Sequence, residues 1–274
     1  MAFYQLSDGA ELFYEDKGEG KPLVFIHGVW MSSRFFHKQV SYFEKKFRVI
    51  TLDLRGHGAS AKTNAGHTVA QYARDLRDLV RHLDLQDVTL VGWSMGAFVI
   101  WEYLHQFGDK GVLSTVIVDE LASDFKWPDF EIGAFDLAAL TSMMQGLQHD
   151  QKGLLRGFLP LMFKKDVSEE HLCWMLEETM KVPASIASAI LFDQSIIDCR
   201  PYLNSIQCPT LLCFGREEKL IPVAAGEHLK KSIANSQLEI FEQSCHCPFL
   251  EEPEKFNRLI ESFLTSLKVV NKNS

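Results

Sequence analysis

The chain has 274 residues, 46% of them hydrophobic and 23% charged, and a formal net charge of -8. This is the composition of a globular protein with a substantial core, and the length suits one α/β domain enlarged by an insertion. The acidic balance lacks the concentrated basic face that nucleic acid or an anionic membrane requires, so neither is expected as a partner.

The first residues, Met1 to Asp16, alternate polar and apolar side chains without the basic and apolar regions of a signal peptide. No apolar run approaches the roughly 20 residues that span a bilayer, so a cytoplasmic location is expected. Phe3–Leu6 and Leu12–Glu15 flank Ser7-Asp8-Gly9-Ala10, whose Asp-Gly pair predicts a hairpin. Four continuous apolar or β-branched runs follow: Leu23–Ile26, Arg48–Leu52, Val88–Val91 and Val112–Val118. Such runs belong to strands buried on both faces. Helical stretches lie between them at Phe35–Phe43, Thr68–Leu83 and Gly96–Phe107, and the second carries Val69, Tyr72, Leu76, Leu79, Val80 and Leu83 on one face. Strand alternating with helix implies right-handed crossovers and a mostly parallel, doubly wound sheet. The rhythm resumes with strands Thr210–Phe214 and Leu238–Phe241 and helices Val223–Ser232 and Phe256–Leu267. From about Leu121 to Ser205 only helical spacing is visible, as in Leu172, Met175, Leu176 and Met180, which predicts a helical lid inserted over the end of the sheet. The expected organisation is therefore a core of residues 1–120 and 206–274 with a lid of residues 121–205.

Gly92-Trp93-Ser94-Met95-Gly96 follows a predicted buried strand and opens a predicted helix. A serine on such a turn is exposed to attack a substrate and faces free helix N-terminal amides, and the flanking glycines let strand and helix approach. Taken alone, Ser94 also reads as a simple helix cap. A serine hydroxyl needs a base in reach, usually a histidine oriented by a carboxylate. His246 stands after the last predicted strand in Cys245-His246-Cys247-Pro248-Phe249-Leu250-Glu251-Glu252-Pro253-Glu254-Lys255-Phe256. A Cys-His-Cys tripeptide has poor metal-ligand spacing. The six cysteines (Cys173, Cys199, Cys208, Cys213, Cys245 and Cys247) are irregularly placed and read as reduced thiols.

These segments resemble the α/β-hydrolase fold superfamily, in which the triad runs serine, acid, histidine along the chain and a Glu-x-Pro-Glu-x-Phe segment follows the histidine. The resemblance covers essentially the whole chain outside the lid. It implies a serine hydrolase with Ser94 as nucleophile, His246 as base and an acid in Phe214-Gly215-Arg216-Glu217-Glu218-Lys219-Leu220-Ile221-Pro222. Alignment of Gly215 and Pro222 with the family segment puts Glu218 where the family usually has aspartate. Asp119 or Glu120, after the strand ending at Val118, is the alternative, since some relatives carry the acid there. His27-Gly28-Val29-Trp30 resembles the oxyanion loop, which assigns the oxyanion hole to the amides of Val29 and Met95 and leaves His27 a structural residue fixing the loop. Trp30 and Trp93 are expected to wall the substrate pocket. Asp53, Arg55 and His57 in Asp53-Leu54-Arg55-Gly56-His57-Gly58 resemble a buttress of the nucleophile loop and are read as structural, which requires mutual partners if they are buried.

Serine at position 94 argues against the dehalogenase and epoxide hydrolase branches, whose nucleophile is a carboxylate. The closer resemblance is to the carboxylesterase and cofactor-free haloperoxidase branch, although perhydrolases of that branch carry proline where this chain has Trp30. The resemblance thus implies a carboxylesterase acting on a small-molecule ester or lactone with an apolar moiety, without metal or organic cofactor. A lactonase, for instance on acyl-homoserine lactones, and a carbon–carbon bond hydrolase share the same triad. A small-molecule receptor with a vestigial triad is the reading from another class. The lid's Phe125, Trp127, Phe130, Phe135, Met143, Met144, Phe158, Met162, Phe163 and Trp174 offer an apolar lining, or are lid core. The natural substrate and the oligomeric state are open.

Overall fold

The computed structural model describes residues 1–217 and 219–270. The chain opens with the antiparallel pair β1 (Ala2–Gln5) and β2 (Glu11–Lys17), then runs β3 (Pro22–Ile26), α1 (His37–Phe43), β4 (Arg48–Leu52), α2 (Val69–His82), β5 (Val88–Trp93), α3 (Met95–Phe107) and β6 (Val112–Val118). Helices α4 (Leu137–Phe158), α5 (Glu169–Thr179) and α6 (Ala184–Ile196) come next, before the alternation resumes with β7 (Thr210–Gly215), α7 (Val223–Ser232), β8 (Ser236–Phe241), α8 (Pro248–Glu251) and α9 (Pro253–Val270).

All eight strands share one sheet in the order β1-β2-β4-β3-β5-β6-β7-β8. Only the pairings β1 with β2 and β2 with β4 are antiparallel. The remaining pairs are parallel, as the continuous apolar runs require. Strands β3 and β5 are buried at every position, because helices cover both faces. The predicted strands are all present, displaced at their ends by one or two residues, the usual uncertainty of element boundaries.

Helix α2 shows how sequence becomes packing. Thr68 caps it by accepting a hydrogen bond from the Gln71 amide, and Val69, Tyr72, Leu76, Leu79 and Val80 turn one buried stripe toward the sheet. Two of the three helices between β6 and β7 are tied to the rest by polar contacts: Ser32 and Arg34 both donate to Glu178 of α5, and the Val69 amide donates to Asp193 of α6. Strand order places the C-terminal ends of β5, β6 and β7 side by side, with Trp93 opposite Val118 and Val118 opposite Cys213. In open parallel sheets these ends form the crevice where ligands bind. Among the described residues, no helix is long and apolar enough to cross a membrane.

Candidate active site

Ser94 occupies the single residue between β5 and α3, with φ 53° and ψ −128°. This is a left-handed conformation that costs a non-glycine residue on the order of 1–3 kcal/mol. It is held by the close fit around it. A methyl group on Gly92 would collide with the Gly96 carbonyl, and one on Gly96 would collide with the Ile26 carbonyl. One on Gly28 would stand 3.0 Å from the Ser94 Cβ. The Ser94 amide donates to the Val118 carbonyl at 3.0 Å, which fixes the turn to the end of β6.

His246 lies in the loop between β8 and α8, and the glutamates that follow it hold that loop. The Cys245 amide donates to Glu251 Oε2, while the Gln243 amide and the Ser244 hydroxyl both donate to Glu252 Oε2. The imidazole Nδ1 stands 2.7 Å from Asp119 Oδ2, and Asp119 Oδ1 accepts the Gly215 amide at 3.0 Å. Burial pushes the Asp119 carboxyl up from its ordinary value, and the hydrogen bonds from His246 and the Gly215 amide pull it back down. Asp119 itself has φ 51°, so the chain turns sharply at the end of β6 and carries the carboxylate toward the histidine loop.

The carboxylate bonded to His246 is thus that of Asp119, given second place to Glu218 by the sequence; Glu218 lies outside the described residues. Asp119 follows β6 directly, and its sharp turn brings the carboxylate to the imidazole without a long loop. Its neighbour Glu120 does not touch the imidazole. It is buried, its Oε1 accepts the Leu121 amide, and it lines a cavity.

That cavity, of about 80 Å³, is lined by Ser94 and His246 together with Val29, Trp30, Glu120, Asp124 and others. Asp119 engages Nδ1 of His246 and not Nε2. Phe135, Met143 and Phe158 of the helical segment line it as well, whereas Phe130 and Met162 are buried core and Trp174 packs on Phe35 with ring centroids 4.9 Å apart. Trp93 does not line the cavity, against the expectation that it walls the pocket with Trp30. It points to the other side of the elbow, among Phe35, Phe36 and Phe249, and its indole N–H donates to the His246 carbonyl at 2.9 Å. Alternation along a strand explains this: the residue before the nucleophile faces away from it.

The loop after β3 is organised by two neutral histidines. His27 donates from Nδ1 to the Gly28 carbonyl at 2.8 Å and accepts the Leu54 amide on Nε2 at 3.0 Å. His57 donates from Nδ1 to the Arg55 carbonyl and accepts the Trp30 amide on Nε2, both at 3.1 Å. Burial lowers the basicity of each, that of His57 strongly. With the Trp30 amide held by His57 and the Met31 amide by the Gly28 carbonyl, the Val29 amide is the one of the three without an acceptor among the described residues. Met95 opens α3, so its amide also lacks an intrahelical acceptor. Asp53 accepts the Ser33 and Ala59 amides at 2.7 Å each, and Arg55 pairs with Asp75 and Asp8. The buried charges of this segment therefore have partners, as a structural role demands.

Two further polar residues in the cavity wall, Asp124 and Gln194, went unnoticed in the sequence. Gln194 was detectable in principle: it continues the spacing of Ala187, Ile190 and Leu191 along the buried face of α6, where a polar side chain is out of place. Asp124 gave no such signal.

Residues 21–141 match the family model for the alpha/beta hydrolase fold. The chain is 30% identical over 268 residues to the AB hydrolase superfamily protein YisY of Bacillus subtilis, covering 96% of this chain and 99% of that one. An esterase from Exiguobacterium antarcticum superposes with a TM-score of 0.92 at 27% identity, covering 96% of this chain and 98% of the other. A bromoperoxidase from Bacillus anthracis superposes with the same TM-score at 28% identity, covering 96% and 99%. The chain belongs to the α/β-hydrolase superfamily. It is an enzyme of that superfamily, with esterases and haloperoxidases among its relatives.

Proposed function

We propose that the protein is a serine esterase that works through an acyl-enzyme on Ser94, with His246 as general base and Asp119 as the triad acid. The observation that carries this reading is the 2.7 Å contact of Asp119 with His246 Nδ1, in a cavity whose wall also holds the strained Ser94. Asp119 fixes the tautomer that leaves Nε2 free to accept the serine proton. Ser94 Oγ then forms a bond to the ester carbonyl carbon, and the carbonyl π electrons move onto oxygen. The amides of Val29 and Met95 hold that oxyanion, at roughly 3 kcal/mol for each donor. As the carbon–oxygen bond to the leaving alcohol breaks, His246 returns the proton to it. Water, deprotonated by His246, attacks the acyl-enzyme and regenerates Ser94.

The cavity volume of about 80 Å³ favours small acyl groups; a water molecule's share of the liquid is about 30 Å³. Helices α4 to α6 form a lid in this reading, and larger substrates require it to move. The test is labelling by a fluorophosphonate, together with turnover of short p-nitrophenyl esters. Wild type is expected to label and to turn over repeatedly, and Ser94→Ala to do neither. Labelling that persists in Ser94→Ala removes the nucleophile from position 94, and a single turnover points to a receptor instead.

A further inference from the structure

Beside the triad, the cavity wall carries an acid pair for which the acyl-transfer steps above have no use. Glu120 and Asp124 are 1% and 2% exposed, yet both line the space that Ser94 and His246 share. Their carboxyl groups influence each other, and Asp124 Oδ1 is buried without a hydrogen-bond partner among the described residues. Burial, and then the charge of Asp124, push Glu120 well above the ordinary carboxyl range. Asp124 is pushed up by burial to about 6, against the pull of the Gln194 amide and of Glu120, and is ionised at neutral pH. The pair therefore adds two buried acidic groups to a wall that also holds Phe135, Met143 and Phe158.

Gln194 supplies an independent sign of a ligand. It donates from Nε2 to Asp124 Oδ2 at 2.6 Å, and its other amide atom, Oε1, is buried without a hydrogen-bond partner among the described residues. The side chain is 4% exposed and lines the same cavity. An unmet buried acceptor is costly, and here it stands beside the equally unpartnered Asp124 Oδ1, so both groups call for a donor.

From this arrangement we infer that Asp124 and Gln194, with Glu120 behind them, form a specificity subsite for an O–H or N–H donor on the substrate. The inference rests on the esterase reading and narrows its substrate class to short esters bearing a hydroxyl or an ammonium group near the scissile carbonyl. A site built to hydrogen-bond a substrate group discriminates strongly against the analogue that lacks it, because its own polar atoms are then left unpaired.

The test compares four esters by titrating released acid: ethyl butyrate, ethyl β-hydroxybutyrate, ethyl β-aminobutyrate and ethylene glycol monobutyrate. The second and third place a hydroxyl and an ammonium on the acyl side, and the fourth a hydroxyl on the alcohol side. Wild type is expected to favour at least one of these three over ethyl butyrate in kcat/KM by about 10-fold or more. In Asp124→Asn and, separately, Gln194→Met, that ratio is expected to fall toward one, whatever happens to the absolute rate. A melting curve on each variant reports whether it is folded. Turnover of ethyl butyrate with no preference for any donor ester overturns the inference and leaves the esterase reading standing. So does an equal loss on all four esters in both folded variants, which makes the cluster purely structural. No turnover of any ester, with no labelling of Ser94, removes the esterase reading and this inference with it.

Discussion

The Trp93 indole N–H donates to the backbone carbonyl of His246, so the residue before Ser94 holds the loop that carries His246. Strand and loop are 153 residues apart in sequence, and this bond joins them from the side of the elbow away from the cavity. Trp93→Phe keeps most of the ring contacts with Phe35 and Phe249 but leaves the carbonyl unpaired, at roughly 1–3 kcal/mol. We expect kcat on p-nitrophenyl acetate to fall by about 10-fold with little change in KM, because the group acts on the base and not on the substrate. An unchanged kcat, measured at saturating ester, would remove the positioning role.

The acid assignment gives a sharp contrast. Asp119→Asn is expected to lower kcat by on the order of 10³–10⁴-fold, since an amide in that place no longer enforces the productive tautomer of His246. Glu218→Gln is expected to stay within about 3-fold of wild type. Parallel kcat measurements on one ester decide the matter, and a larger loss in Glu218→Gln would return the acid to the loop after β7.

Ser94 sits at φ 53°, held by the close fit of Gly92 and Gly96 around the turn. Ser94→Gly should therefore raise unfolding free energy by about 1 kcal/mol while abolishing turnover, as glycine adopts this conformation without strain. Urea unfolding of the two proteins measures the difference. A less stable glycine variant would mean that contacts of the Ser94 side chain outweigh the strain.

Asp124 makes stability depend on pH in a defined direction. Its carboxyl is pushed up to about 6 in the fold, from an ordinary value of 3.8. Between these values the folded state binds more protons than the unfolded chain, so stability falls as pH rises through that window and is level above it. The two values differ by about 2 units, which bounds the effect at roughly 3 kcal/mol. Asp124→Asn should lose this slope, so its stability relative to wild type improves from pH 4 to pH 7. Melting temperatures across that range test it, and parallel profiles for the two proteins would show that Asp124 ionises normally in the fold.

Much of the fold could be read from the chain because parallel strands buried on both faces announce themselves as unbroken apolar runs, as at Leu23–Ile26 and Val112–Val118. The elbow was legible for a related reason: Gly92 and Gly96 are there because no side chain fits. The acid was harder. Asp119 and Glu218 each follow a strand that ends at the same crevice, and the spacing of residues along the chain does not tell which strand end lies against the histidine loop. Strand order does not tell either, because the end of β7 also abuts that loop, where the Glu217 amide donates to the Ser244 carbonyl; the contact of Asp119 with His246 is a property of the assembled structure. Trp93 illustrates a different limit, since an aromatic residue beside a nucleophile looks like pocket lining until the alternation of the strand is followed through the turn. Asp124 and Gln194 come together across 70 residues, from a segment without regular structure and from a helix. Their meeting depends on how the insertion folds back, and no local pattern encodes it.

Asp119 and Glu120 are consecutive, yet one faces the imidazole and the next faces the cavity. Deleting or inserting a single residue at the end of β6 would exchange their places and spoil both tasks at once. The stretch from Val118 to Asp124 is therefore constrained in length as well as at its acidic positions. In a library of variants it should tolerate only conservative apolar exchanges at the buried Leu121 and Ala122 while rejecting every change of frame, and that signature can be sought by deep mutational scanning without knowledge of the natural substrate.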